Sequence, residues 1–224
     1  EVYSADVVRG LAGLKPKAAD FRLFWDNAYV VHNFSEDRPK IPNIMYECAN
    51  PDTPLVFTSF SKISYPGAGV AAMCCSENNR RNYLRHISIK TVGPNKLNQL
   101  RHAKYFRDLR GVEAHMKKMA AVLRPRFNLV LDSLTSGLGG LNTAEWSNPK
   151  GGYFISLNTV DGRAKKVVEL CRRAGLIITE AGATYPYGND PHDRNIRIAP
   201  SFPELNELEL AMKIFCAAVK LAAL

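Results

Sequence analysis

The sequence predicts an α/β protein whose first half alternates short strands with helices and whose second half is a small α+β unit. Three observations carry this. Apolar runs of strand length at 21–25, 55–57 and 70–75 are set among segments with helical periodicity. From Gly111 a single pattern of apolar residues at spacings of three and four continues to Leu134, as a long helix requires. Beyond it the order reads strand, helix, short strand, strand, helix, which suits helices packed on a small sheet. The 224 residues allow one large domain or two smaller ones, and the change of pattern divides them into 1–110 and 111–224.

Taken in order, Ser4 caps a short helix over 6–14 that Lys15-Pro16 ends. Residues 21–25 form a strand that stops at Asp26-Asn27-Ala28-Tyr29. An acidic residue at the carboxyl end of such a strand is where α/β proteins place ligand-binding groups, although a turn or cap role explains Asp26 as well. Residues 32–54 read as a polar, proline-bearing loop with one short helix near 44–48. Strand 55–57 and return strand 70–75 follow. Ser76 caps a helix over 77–90 with Tyr83, Leu84 and Ile87 on one face, and 95–109 forms another helix with Leu97, Leu100 and Tyr105 inward.

The long helix from Gly111 carries Val112, Met116, Met119, Ala120, Leu123, Phe127, Val130, Leu131 and Leu134 on its apolar stripe. Pro125 is expected to kink it, because proline lacks the amide donor and crowds the preceding turn. A glycine-rich turn at 136–140 ends it. Strands are then expected over 152–157, 176–179 and 195–199, and helices over 162–174 and 204–223. The last strand places Arg197 opposite in facing to Ile196 and Ile198. Such an arginine is either a solvated strand residue or a fork for a carboxylate.

Composition bounds the function. Hydrophobic residues make up 46% of the chain, enough for a real core, and no apolar run approaches the length of a membrane span. The formal charge of +9 raises the question of nucleic acid, but the basic residues are spread along helical segments without an aromatic platform or recognition helix, so solvated faces are the preferred reading. Five cysteines in no C-x-x-C spacing point to reduced thiols in a cytoplasmic protein and to no metal site.

Chemistry concentrates at Thr58-Ser59-Phe60-Ser61-Lys62-Ile63-Ser64-Tyr65-Pro66-Gly67-Ala68-Gly69. One lysine lies between two strands, with hydroxyls at 59 and 61 and a glycine turn that lets backbone approach a ligand. A phosphate and an amine-reactive carbonyl could be held together there. A hairpin whose lysine points to water is the competing reading.

Asp26-Asn27-Ala28-Tyr29, Ser59-Phe60-Ser61-Lys62 and Asn195-Ile196-Arg197-Ile198 occur in an order and spacing that resembles the pyridoxal-phosphate-dependent aminotransferases of fold type I, classes I and II, in their aspartate aminotransferase-like branch. The resemblance implies a partial large cofactor-binding domain, with a mixed and mostly parallel sheet, over 1–110 and the small carboxyl-terminal domain over 111–224. It implies that Lys62 forms the internal aldimine with pyridoxal 5'-phosphate and then moves the α-proton. Asp26 would pair with the pyridine nitrogen, and Tyr29 would donate to the ring's phenolic oxygen. Ser59 and Ser61 would hold the phosphate, and Arg197 the substrate α-carboxylate.

The implied activity is transfer of an amino group between an amino acid, aspartate or glutamate in particular, and a 2-oxo acid, by a homodimer. A transcriptional regulator with an aminotransferase-like sensing domain, and a lyase or decarboxylase on the same scaffold, are the alternatives. Two departures stand out. Most relatives carry an arginine seven or eight residues after the lysine, where this chain has Gly69 and Val70. The resemblance also covers only the carboxyl-terminal half or so of the family's length, so the 224 residues alone are expected to be a fragment with little or no turnover.

Overall fold

The computed structural model describes residues 3–34, 41–65, 67 and 69–224. Part of the loop expected over 32–54, and Pro66 and Ala68 of the expected glycine turn, lie outside the described residues. The chain is mixed α/β and divides into two compact units, Val2–Lys117 and Lys118–Leu224.

In the first unit, helix α1 (Ala5–Ala12) starts at Ser4, whose side chain accepts from the Val7 amide. Strand β1 (Leu23–Asp26) pairs in parallel with β2 (Pro54–Ser59), and β2 pairs antiparallel with β3 (Ala71–Cys74), giving a mixed sheet in the order β1-β2-β3. Short helix α2 (Ile44–Glu47) lies between β1 and β2 in the chain. Val8, Trp25, Ile44 and Cys48 form a buried cluster, with Leu23 and Val56 packed against it. The alternation along β1 explains the arrangement: Trp25 turns into the core, and Phe24 and Asp26 turn away.

Helix α3 (Glu77–Lys90) begins at its Ser76 cap, but the expected inward face does not form. Tyr83 and Leu84 are left about half exposed. Helix α4 (Lys96–Phe106) likewise exposes Leu97, Leu100 and Tyr105, contrary to expectation, and buries Phe106 instead. The reason is the helix end. Arg107 adopts a positive φ of 63°, and α5 (Leu109–Leu138) starts at once. A Cβ at Gly111 would overlap the Phe106 carbonyl, so only glycine lets the first turn of α5 approach so closely.

Helix α5 is α-helical over all 30 residues, Pro125 included. Next to the proline, the Arg126 guanidinium donates to the carbonyl oxygens of Val122 (2.9 Å) and Pro203 (3.0 Å). In the second unit, Leu123, Phe127, Val130, Leu134 and Leu138 of α5 are buried, as are Ile155 and Leu157 of β5 (Ile155–Thr159) and Ile196 of β6 (Asn195–Ile198). Strand β4 (Ala144–Trp146), which periodicity did not indicate, pairs with one edge of β5, and β6 pairs with the other, all antiparallel. Helix α6 (Ala164–Arg173) packs with α7 (Leu205–Ala223). The strand expected at 176–179 is absent. That stretch is coil with Ile177 exposed, and it joins neither outer edge of the β4-β5-β6 sheet.

Candidate active site

The first unit brings Asp26, Tyr29, Ser59, Ser61 and Lys62 to one end of its sheet. Asp26 closes β1 directly opposite Phe57 of β2, two residues before Ser59. The Asn27 amide extends the ladder by one bond, donating to Phe57 O at 2.8 Å. The Asp26 carboxylate accepts from the Ala28 amide at 3.1 Å, the Asx geometry that turns the chain toward Tyr29. Asp26 is exposed and Tyr29 borders on exposed, so both can reach a ligand.

Ser59 ends β2 and accepts from the Ser61 amide at 3.1 Å. Its hydroxyl donates to Ser61 Oγ at 2.9 Å, which leaves the Ser61 hydroxyl proton as the terminal donor of a two-step relay. Lys62 follows in a single helical turn closed by Ile63 N to Phe60 O (3.0 Å) and Ser64 N to Phe60 O (2.8 Å). Ile63 points into the core, and Lys62 is exposed. Val70 O accepts from the Phe60 amide at 2.8 Å, bringing the return segment over Ser61.

That approach explains why Gly69 carries no arginine. A Cβ at Gly69 would lie 2.5 Å from Ser61 Oγ and 3.0 Å from Ser61 Cα, so any side chain there would have to displace Ser61. The glycine forms the back of a cradle. A primary amine beside two hydroxyls and close-packed backbone can retain an anion that also bears a carbonyl.

Histidines surround this turn, and the motifs gave no hint of them. His32 is 3% exposed and its Nε2 donates to Lys62 O at 3.3 Å. Its ring stands edge-on to Tyr29, with centroids 5.3 Å apart. Burial pushes the His32 pKa down, against smaller upward effects from the Lys62 and Tyr29 backbone contacts. His115 donates from Nε2 to Ile63 O at 2.8 Å, and His102 Nε2 lies 2.6 Å from Ser64 Oγ. The available signal was His32 itself, three residues beyond Tyr29 in the first motif.

Arg197 lies in the second unit, and its position is described within that unit alone. It faces Ser156 across the β5–β6 ladder, and its guanidinium sits 4.4 Å above the Phe154 ring. Its Nε is buried without a hydrogen-bond partner among the described residues. A buried guanidinium N–H left in that state is suited to a carboxylate acceptor.

The strand under Arg197 is fixed by buried polar groups. Asn195 donates to Ser156 Oγ (3.0 Å) and Asn158 Oδ1 (2.8 Å) and accepts from Thr184 at 2.6 Å. The Asp190 carboxylate accepts from the amides of His192 (3.0 Å), Arg194 (2.9 Å) and Asn195 (2.8 Å). Burial acts to raise its pKa, but the three amides outweigh it and hold the carboxyl below the usual range. No group of side chains among the described residues could hold a metal ion, and no described helix is long and apolar enough to cross a membrane.

The profile of the aspartate amino-transferase family matches residues 1–224. The chain belongs to the aspartate aminotransferase family. It is 46% identical over 221 residues to an aspartate aminotransferase of Corynebacterium glutamicum, covering 97% of this chain and 51% of that protein. The crystal structure of an aspartate transaminase from C. glutamicum superposes with a TM-score of 0.95 at 46% identity, covering 98% of this chain and 53% of that one. LysN, the α-aminoadipate aminotransferase of Thermus thermophilus, shares the fold at a TM-score of 0.75 and 18% identity, over 90% of this chain and 50% of its own. That structure holds N-(5'-phosphopyridoxyl)-L-leucine. The chain spans about half the length of the curated relatives it matches. Pyridoxal phosphate is the cofactor of this aminotransferase family.

Proposed function

We propose that the protein is a pyridoxal-phosphate-dependent transaminase that moves an amino group between a dicarboxylic amino acid, aspartate or glutamate, and a 2-oxo acid. The observation that carries this is the Lys62 turn. One amine follows the Ser59–Ser61 hydroxyl relay, on the turn that leaves a strand directly parallel to the one that Asp26 ends. The donor set suits the cofactor: hydroxyls and a glycine-backed cradle for a phosphate, a carboxylate for a ring nitrogen, a phenol for a ring oxygen and an amine for an aldehyde.

When bound, pyridoxal phosphate supplies an aldehyde and an electron-accepting ring. The residues of this chain do the rest. Asp26 keeps the ring nitrogen protonated, because a buried cation without a counter-charge is costly. Tyr29 O–H donates to the ring oxygen, and Ser59 and Ser61 orient the phosphate. Lys62 Nζ would anchor the cofactor, and the same nitrogen would take up the α-proton of the amino acid and give it back. Arg197 holds the α-carboxylate through its planar fork, with the face of Phe154 fixing the guanidinium plane.

The first unit is then the cofactor-binding domain and the second the small carboxyl-terminal domain. The reading extends to a homodimer in the cytoplasm. Five unpaired cysteines, as a reducing compartment maintains them, support that location.

The test is borohydride reduction of the whole protein with pyridoxal phosphate, followed by peptide mass analysis and a screen of amino donors and 2-oxo acids. Labelling at Lys62 and turnover with aspartate or glutamate are expected. Lys62→Ala should abolish the label and lower turnover by at least about 10²–10⁴-fold, the share of a positioned acid–base group alone. Labelling elsewhere, or no turnover with any pair, would overturn the reading.

A further inference from the structure

We propose that three histidines form a clamp on the Lys62 turn, with His32 and His115 donating to its last carbonyls and His102 holding Ser64, and that they are positioning residues for the Lys62 amine. The inference rests on the reading of Lys62 as the cofactor-bearing residue. Three of the chain's five histidines meet residues 62–64, and they come from three elements: the turn after β1, helix α4 and helix α5.

The physical need is specific. The turn from Phe60 to Ser64 has two internal backbone bonds, both to Phe60 O, and a single helical turn is not stable by itself. Carbonyls at the end of a helical turn are open to side-chain donors, as at helix C-termini. Imidazoles occupy those places: His32 Nε2 at Lys62 O (3.3 Å) and His115 Nε2 at Ile63 O (2.8 Å). Ser64 Oγ sits between Phe60 O (3.0 Å) and His102 Nε2 (2.6 Å).

Carbonyl oxygens only accept, so the tautomers follow from the partners. His32 and His115 carry the proton on Nε2. His102 carries a proton on Nδ1, which faces Asn98 O at 2.7 Å, and its Nε2 meets Ser64 Oγ, whose own proton goes to Phe60 O.

The rings are themselves locked. Phe106 is buried and packs edge-on to His115 with centroids 5.4 Å apart, and Phe60 packs edge-on to His102 at 5.6 Å. His32 also touches the Tyr29 ring, so one imidazole positions two residues of the cofactor set. His32 engages the main-chain carbonyl of Lys62.

The test compares leucine and glutamine at positions 32 and 115 in the whole protein, since the glutamine amide restores an N–H donor near the place of Nε2. Pyridoxal phosphate affinity is read by visible absorbance, Lys62 occupancy by borohydride trapping, and folding by far-ultraviolet dichroism. His32→Leu and His115→Leu should each weaken cofactor binding about five- to tenfold, the loss of one hydrogen bond to a partly buried acceptor, and His32→Gln and His115→Gln should restore it to within about twofold. Folded leucine variants that bind as tightly as wild type, or glutamine variants as weak as leucine ones, would overturn the clamp. If a leucine variant does not fold, the glutamine variant decides: near-wild-type binding supports the clamp, and a five- to tenfold loss overturns it. Wild-type protein that takes no label at Lys62, like a Lys62→Ala control, would instead sink the reading of the site.

Discussion

The Lys62 turn and the Arg197 strand solve the same problem, the placement of one cationic side chain, by different means. Lys62 sits on a single turn whose end carbonyls are held by imidazoles distant in sequence, and its side chain is exposed. Arg197 sits mid-strand in a ladder, over a buried aspartate and asparagine that satisfy the chain before it. On the proposed reading, a lysine that exchanges partners suits a turn held through its backbone, and an arginine that binds one carboxylate suits a strand set in a ladder.

The contrast can be broken at four points. The largest effect is expected from Asp190→Ala, which strands three amides around a buried site. We expect a loss of about 2–3 kcal/mol in denaturant unfolding of the second unit, with Lys62 labelling retained. Because the Asp190 pKa is lowered on folding, its contribution is present above the ordinary carboxylate range and is lost as pH falls through the folded value. Wild-type stability should therefore fall more steeply than that of the alanine variant on acidification below pH ~4.

Arg197→Lys comes next. It keeps the charge and loses the fork, so KM for the amino acid should rise about tenfold or more while cofactor affinity stays unchanged. Equal losses in both would mean that the strand does not act separately from the lysine turn. Gly69→Ala should weaken cofactor binding by about 1–2 kcal/mol, because its methyl group displaces Ser61; titration of the variant with pyridoxal phosphate reads this directly.

The smallest effect belongs to His32. A histidine whose pKa falls on folding makes the unfolded chain bind the proton first, so stability drops as pH decreases through about 6.5 and levels off below the folded value. His32→Gln should flatten that slope in thermal unfolding between pH 7 and 5. A slope that persists would assign it to another histidine.

Helix α3 shows how far local pattern reaches. Its bounds, Glu77–Lys90, follow from the Ser76 cap and the break beyond Lys90, because capping is a local matter of a few residues. Its burial does not follow, and Tyr83 and Leu84 are left about half exposed. Strand β4 was invisible for the opposite reason: three residues are too short for a period, and pairing with β5 alone defines them. The segment 176–179 has strand composition and joins neither outer edge of the β4-β5-β6 sheet.

By itself the sequence determined most of the strands and helices, the family, and the residue types on which the proposed roles rest: Asp26, Tyr29, Ser59, Ser61 and Lys62 in the first unit and Arg197 in the second. These are matters of residue type and spacing along the chain. Only the tertiary structure decided that a side chain at Gly69 would have to displace Ser61 and that His32, His102 and His115 close on the Lys62 turn. Those contacts join residues 30, 38 and 52 positions apart, and the two that end on main-chain carbonyls leave no mark on the identity of the residue that accepts them.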